Sequence, residues 1–546
     1  MLPTTSQTKR RRARPFLLSF AFLTALSATL QFGEGQAARE QVPGRLPTAR
    51  VQEGGGWAII PFVGSDVGYS APAPPAAPSA TPASSPPAPN SPAAAGRWAP
   101  VEHWPGVAVN SVLLYTGEVL FWDAWEKPTH ARIWNPLTGS FRDVTARGGL
   151  FCAAQVVLSD GRVLVVGGHD PETGQAGTPE VYIFDPATRG WSRAADMEYP
   201  RWYPSTTLLG DGRVLALSGN TTWAEWADTP EVYDPITNSW TKLAVATADL
   251  HEDEYPLSFL LPDGRVFTLV SSTSQSRILD VAAATWHSAG LGATPVANAS
   301  AAIYRPGQLL ISGGGDLEHR APASRGAATV DLTGDRQWHA TGAMNDRRYM
   351  HNLVVLADGN VLAVGGSATA DQEAPPATAT LSTESWDPAT GQWTLLAPMN
   401  DPRMYHSTAL LLPDGRVLAA GGGRYNTAAD FASAQIYAPP YLFRGPRPAI
   451  TGGATSATYG RDFVVATPDA ARIGGVALVN LGAVTHSLDM GQRYVPLSFQ
   501  AFGDSLVVGG PSNANIAPAG YYMLFVIDST GVPSVARIIH VGSEGE

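Results

Sequence analysis

Four short segments of this chain carry side chains able to bind or activate something at a single point. Phe151-Cys152 stands directly before the apolar run "AAQVVLSDGRVLVVGG", and "RWYPST" places Tyr203 before the corresponding run that follows. "RMYHSTALLLPDGRV" places Tyr405 and His406 before a later one, and "GAVTHSLDMGQRYVPL" near the C-terminus contains His486. Taken singly, a lone cysteine is most simply a small core hydrophobe, and each tyrosine or histidine a packing residue. Their shared position alters that: Cys152 lies eight residues before Asp160, Tyr203 eight before Asp211 and Tyr405 nine before Asp414, and each aspartate opens an Asp-Gly turn. Equivalent positions of units arranged around one axis become neighbours, so these side chains should converge at one end of that axis. Two imidazoles and two phenols make an N,O donor set, which suits Cu(II) in tetragonal geometry; catalytic zinc more often takes histidine with carboxylates. Adjacent strand residues point to opposite faces, so Tyr405 and His406 can share one metal only at an irregular strand entrance.

The units that would position these residues recur along the chain. An apolar run, a glycine, a second apolar run, often Gly-Gly, a variable loop, an aromatic-Asp-Pro turn and a tryptophan make up each copy, most clearly from Asp160, Asp211 and Asp358. The marker glycines are Gly117, Gly161, Gly212, Gly264, Gly307, Gly359 and Gly415, spaced 44, 51, 52, 43, 52 and 56 residues apart. That is kelch periodicity. Short apolar strands broken by turn signals make each copy a four-stranded sheet, and seven sheets close into a β-propeller. A linear stack is the rival, disfavoured because no helices are interleaved. After Tyr437 the rhythm changes. Strand candidates at Asp462 to Ala466, Gly475 to Leu481, Ser505 to Val508, Tyr521 to Ile527 and Ala536 to Val541 predict a small β-sandwich packed on the propeller.

Composition agrees with an all-β chain. Of 546 residues 44% are hydrophobic and 15% charged, with 56 Gly and 45 Pro, against about 25% charge in an average soluble protein. A formal charge of −11 argues against a nucleic-acid partner. One cysteine excludes an intramolecular disulfide and every multi-cysteine metal site. Basic residues from Lys9 to Arg14, the apolar run Phe16 to Leu30 and small residues at Ala37 and Ala38 have the layout of a secretory signal over 1–38. The run is short of the ~20 residues of a spanning helix, so membrane contact is expected only through an uncleaved signal anchor. Residues 39–96 form a spacer, with nine prolines between Ala71 and Pro92. The propeller then occupies 97–437 and the sandwich 438–546, and the protein is expected to be secreted or in the cell envelope.

From Trp98 to the C-terminus the sequence resembles the copper radical oxidases, the galactose oxidase and glyoxal oxidase group, whose kelch propeller precedes an immunoglobulin-like domain. Thr485-His486-Ser487-Leu488-Asp489-Met490-Gly491-Gln492-Arg493 matches the family's "THxxDxxQR"-like segment at every fixed position, and "GYYMLFVIDSTGVPSVA" is also similar to the family's. The resemblance implies one copper per chain, ligated by Tyr203, Tyr405, His406 and His486. It further implies a thioether between Cys152 and Tyr203, and Tyr405 as axial ligand and proton acceptor. Copper takes one electron and alcohol oxidation releases two, so the second would leave through a Tyr203 radical. Dioxygen would then reoxidise the site and leave as hydrogen peroxide, which a peroxide-consuming partner would remove. Trp223, with Trp202 and Trp226 as local alternatives, matches the family's indole near the thioether. Arg348 matches a substrate-contacting arginine of galactose oxidase. "RWYPST" resembles the glyoxal oxidase branch, so small aldehydes or primary alcohols, including carbohydrate termini, are the implied substrates. Two other classes remain open: a secreted glycan-binding or adhesion propeller with a vestigial copper site, and a copper storage or delivery protein. Neither requires the thioether.

Overall fold

The computed structural model describes residues 91–124, 128–169, 176–246, 254–270, 275–290, 298–423 and 430–544. The expected signal and most of the expected spacer lie outside the described residues. Among the described residues no helix is long and apolar enough to cross a membrane.

The sequence repeat becomes a repeat of antiparallel four-stranded sheets. The innermost strands are Asn110–Leu113, Ala154–Val157, Ser205–Leu208, Leu257–Leu260, Ser300–Arg305, Asn352–Val355 and Ser407–Leu411. Each pairs through a tight turn with the next strand of its own sheet. The marker glycines occupy those turns, all with φ between +75° and +87°, a conformation that a side chain disfavours. In five of the turns the preceding aspartate accepts the backbone N–H two residues on: Asp160 from Arg162, Asp211 from Arg213, Asp263 from Arg265, Asp358 from Asn360 and Asp414 from Arg416. The Asp-Gly signal is therefore an Asx turn. The repeated tryptophan joins neighbouring sheets: Trp191 donates Nε1–H to the Val144 carbonyl at 2.6 Å and Trp240 to Ala195 at 2.9 Å.

The first and last parts of the repeat close on each other. Arg97–Trp98 pairs with Ser433–Ala438 and so supplies the outer strand of the last sheet, where Trp98 donates to the Ala397 carbonyl at 3.0 Å. The end of the stretch expected as spacer is also docked: Pro92–Ala95 is a single helical turn whose Ala95 carbonyl accepts from Tyr437 Oη at 2.7 Å and from Ala397 N at 2.9 Å.

Beyond the ring, two sheets sandwich a core that includes Phe463, Leu478, Leu506, Val508, Leu524 and Ile539. This domain reaches back into the ring. Its strand Ala483–Thr485 pairs with the innermost strand Asn110–Leu113 of the first sheet. Gln492 then accepts from Ile303 N at 2.8 Å and donates to the Leu353 carbonyl at 2.9 Å, tying the fifth and sixth sheets. The segment 483–493 therefore threads among the innermost strands, which is how a residue of the tail reaches residues of the repeats.

Candidate metal centre

Six residues at the entrances to innermost strands share one backbone conformation. Cys152, Tyr203, Tyr255, Asn298, Met350 and His406 have φ of 53°, 60°, 52°, 51°, 53° and 64°, although none is glycine. Each stands eight residues before the residue preceding its marker glycine: Asp160, Asp211, Asp263, Pro306, Asp358 and Asp414. Left-handed residues at such sites are strained and need support from their surroundings. Neighbouring sheets provide some of it, since Tyr203 N donates to the Cys152 carbonyl at 3.1 Å and Tyr255 N to the Tyr203 carbonyl at 2.9 Å. This kink is the irregular entrance that Tyr405 and His406 require. His406, not Tyr405, occupies the position equivalent to Cys152 and Tyr203, and the two adjacent rings stack with centroids 3.9 Å apart.

The tail delivers His486, with φ of 47°, into the middle of these groups. Its ring centroid is 4.6 Å from His406, 5.1 Å from Tyr405 and 5.2 Å from Tyr203. The Tyr203 and Tyr405 hydroxyls are 2.8 Å apart. Cys152 Sγ is 3.4 Å from His486 Nε2 and 4.0 Å from His406 Nε2, and the three ligand atoms lie within 4.8 Å of one another. All five side chains are buried.

Hydrogen bonds orient the imidazoles. Thr485 Oγ1 donates to the Val109 carbonyl at 2.9 Å and lies 2.6 Å from His486 Nδ1, which assigns the proton to Nδ1 and leaves the Nε2 lone pair facing the centre. Burial pushes His486 well below the usual histidine range, with neighbouring His406 adding to it. Burial pushes His406 down to about 3 against the opposing effect of its bond to the Gly423 backbone. Both are therefore neutral at ordinary pH and able to ligate. Burial holds the Tyr203 and Tyr405 phenols and the Cys152 thiol well above their usual ranges, so a cation is what would draw off their protons. Two neutral imidazoles and two phenols, with no carboxylate among them, fit copper(II) as the donor set.

Two residues expected at the site stand elsewhere. Arg348 is fully buried away from the centre, paired with Glu384 at 2.9 Å and donating to the Gly365 carbonyl at 2.8 Å. Arg201 does the same with Glu231 and the Ser218 carbonyl, so Arg348 repeats a structural pairing and is not among the residues that line the cavity over the centre. Trp223 is 62% exposed; among the described residues the indole against Tyr203 is that of Trp202, with centroids 4.5 Å apart, and Trp223 meets Trp202 edge-on at 5.2 Å.

A cavity of about 380 Å³ opens onto Tyr203, Tyr405 and His486. Leu257, Leu317 and Leu488 supply apolar wall, and Glu254, Tyr255, Asn298, Tyr349 and Gln372 polar groups. The sequence reading missed these polar residues. Tyr255 carried a signal, the same eight-residue offset from Asp263 that marks Cys152 and Tyr203, and Tyr349 another, the nine-residue offset from Asp358 that Tyr405 has from Asp414; Gln372 carried none.

Three family models match: "Galactose oxidase-like, Early set domain" over 447–541, "Glyoxal oxidase N-terminus" over 304–441 and "Kelch motif" over 150–198. Galactose oxidase of Gibberella zeae is 29% identical over 489 residues, covering 82% of this chain and 70% of that protein. An aldehyde oxidase of Vitis pseudoreticulata is 28% identical over 465 residues, covering 76% and 86%. A solved fungal alcohol oxidase in complex with copper superposes with a TM-score of 0.74 at 26% identity, covering 82% of this chain and 99% of that one.

Proposed function

We propose that this chain, a homologue of galactose oxidase and of the plant aldehyde oxidases, is a copper radical oxidase that oxidises primary alcohols or small aldehydes with dioxygen and releases hydrogen peroxide. The observation that carries this reading is the convergence of Tyr203, Tyr405, His406 and His486 around one point at the floor of a cavity, with the chain's single cysteine beside them. The domain assignment that goes with it is a propeller over 97–437 and an immunoglobulin-like sandwich over 438–546 that lends His486.

Copper bound by these four side chains would supply a one-electron acceptor and a Lewis acid for the substrate oxygen. The chain's own groups account for the rest. Oxidising an alcohol removes two electrons, so a second one-electron store is needed, and the Tyr203 phenol, between the Cys152 thiol and the Trp202 indole, is the group placed to be it. A thioether from Cys152 Sγ to the Tyr203 ring would ease its oxidation. That bond forms with loss of the thiol hydrogen and one ring hydrogen, both electrons passing to dioxygen. Tyr405 then accepts the substrate hydroxyl proton, and the Tyr203 oxygen takes the hydrogen atom from the carbinol carbon. Dioxygen receives two electrons and two protons and leaves as hydrogen peroxide.

The cavity admits small substrates and offers hydroxyl and amide partners to an aldehyde hydrate, a primary alcohol or the terminal hydroxymethyl of a sugar. Export through the N-terminal signal, and a partner that removes peroxide, belong to the same proposal. The deciding experiment is mass spectrometry of copper-loaded, air-exposed protein. The Cys152 and Tyr203 tryptic peptides are expected as one species lighter by two hydrogens. A free Cys152 thiol after full loading overturns the radical mechanism and favours a binding module.

A further inference from the structure

Seven methionines lie among the described residues, and six of them are sealed inside the fold. Met197, Met344, Met399, Met404, Met490 and Met523 expose at most 9% of their surface. Met350 is the exception: it is half-buried and lines the cavity that opens onto Tyr203, Tyr405 and His486. Its backbone sets its place there. With φ of 53° it stands eight residues before Asp358, the position that His406 holds in the next sheet. The residue before it is pinned in both directions, Tyr349 N donating to the Ser367 carbonyl at 2.8 Å and Ser367 N to the Tyr349 carbonyl at 2.9 Å. The chain's other sulfur near the centre is differently placed. Cys152 is fully buried and is not among the residues that line the cavity, and burial holds its thiol well above the usual range, so little reactive thiolate is present. A thioether is soft, polarisable and nucleophilic without losing a proton.

We propose that Met350 is the site at which hydrogen peroxide modifies this protein, and that its sulfoxide restricts the substrate cavity. The sulfur lone pair attacks one peroxide oxygen and the O–O bond breaks. Sulfur, oxidised by two electrons, keeps that oxygen, and the other leaves as water with both peroxide hydrogens. The inference rests on the proposed oxidase reaction as the source of the peroxide, which leaves the centre through a cavity lined by no other methionine. Sulfoxidation turns a flexible apolar side chain into a polar one, in a wall where Met350 stands with Leu257, Leu317 and Leu488. The cavity becomes smaller and more polar in proportion to the peroxide that has accumulated, so the product limits its own formation. Enzymatic reduction of the sulfoxide restores the thioether.

The test begins with the full chain, kept metal-free so that copper generates no radicals, incubated with dilute hydrogen peroxide and digested for mass spectrometry. Met350 and Met399 fall in one tryptic peptide, 349–403, so fragmentation locates the added oxygen. Met350 should gain it about tenfold faster than any of the six buried methionines, with Cys152 still a free thiol. Equal rates, or another methionine first, overturn the site. Treated and untreated samples are then freed of peroxide, loaded with copper in air and assayed with a primary alcohol. Treatment should raise KM severalfold in the parent chain and should leave the KM of Met350→Leu at the value of its own untreated sample. An equal rise in the two proteins overturns the restriction of the cavity. A chain that yields no peroxide from any alcohol or aldehyde counts against the oxidase, while the digest still decides whether Met350 is the modified residue.

Discussion

The hydroxyl oxygens of Tyr203 and Tyr405 lie 2.8 Å apart although 202 residues separate them in the chain. Both border the cavity, but one phenol lies against the Cys152 thiol and the Trp202 indole, while the other stacks on His406. On the proposed reading these environments divide the labour, with Tyr203 losing an electron and Tyr405 handling a proton. Tyr405→Phe is accordingly expected to keep copper through Tyr203, His406 and His486, while turnover falls by about 10²–10⁴, the usual contribution of a positioned acid–base group. Metal analysis together with kcat checks both halves, and unchanged turnover would remove Tyr405 from the proton step.

Much of this arrangement is legible in the sequence because it is periodic. The Asp-Gly turns mark where each innermost strand reverses, and counting back eight residues from them lands on Cys152, Tyr203, Tyr255, Met350 and His406, all in the left-handed region. The pair Tyr405-His406 is in register through His406, since Tyr405 stands nine residues before Asp414 and His406 eight. The strand Ala483–Thr485 was hidden, since its pairing with Asn110–Leu113 spans most of the chain and leaves no local pattern. Trp223 was misplaced for a similar reason. Nothing local says that the hairpin after Asn220 directs its turn to solvent and gives the inner place to Trp202. Arg348 did carry a warning, because Arg201 recurs at the same distance before Tyr203 as Arg348 before Met350. A residue repeated in register with the sheets serves the sheets.

That distinction can be measured. Arg348 and Glu384 are both fully buried, and removing one partner strands the other charge, which typically costs about 3–5 kcal/mol. Arg348→Met is therefore expected to lower the urea midpoint steeply, with KM for alcohols or aldehydes unchanged in the fraction that remains folded at low temperature. A large rise in KM without loss of stability would return Arg348 to the substrate site.

His351 gives the fold a defined response to acid. It is buried between Ser300 Oγ at 3.3 Å and Ser312 Oγ at 3.0 Å; burial, aided by the nearby Arg348 charge, holds its imidazole well below the usual histidine range. Unfolding exposes a histidine of pKa about 6.5, so below that pH the unfolded chain binds a proton that the folded one refuses. Stability contributed by neutral His351 is present above pH ~6.5 and is lost as pH falls, by about 1.4 kcal/mol per unit. Urea midpoints between pH 7 and 5 should fall less steeply in His351→Gln than in the parent chain. Parallel slopes would mean that His351 is protonated within the fold.

The bond that orients His486 is separable from the fold that carries it. Thr485 Oγ1 sits 2.6 Å from His486 Nδ1 and is itself fixed by the Val109 carbonyl, so it sets both the tautomer and the direction of Nε2. Thr485→Val keeps the shape and the backbone pairing of Ala483–Thr485 but removes the acceptor. Loss of such an outer partner usually weakens metal binding by about 10–100-fold. The variant is expected to bind copper correspondingly less tightly in competition with a chelator, and the stability of its metal-free form, measured alongside by thermal unfolding, to fall by no more than the cost of about 1–3 kcal/mol for each stranded buried polar group. Equal copper affinity in the two proteins would show that the backbone of the threaded segment alone aims His486, and that Thr485 serves only to tie that segment to the first sheet.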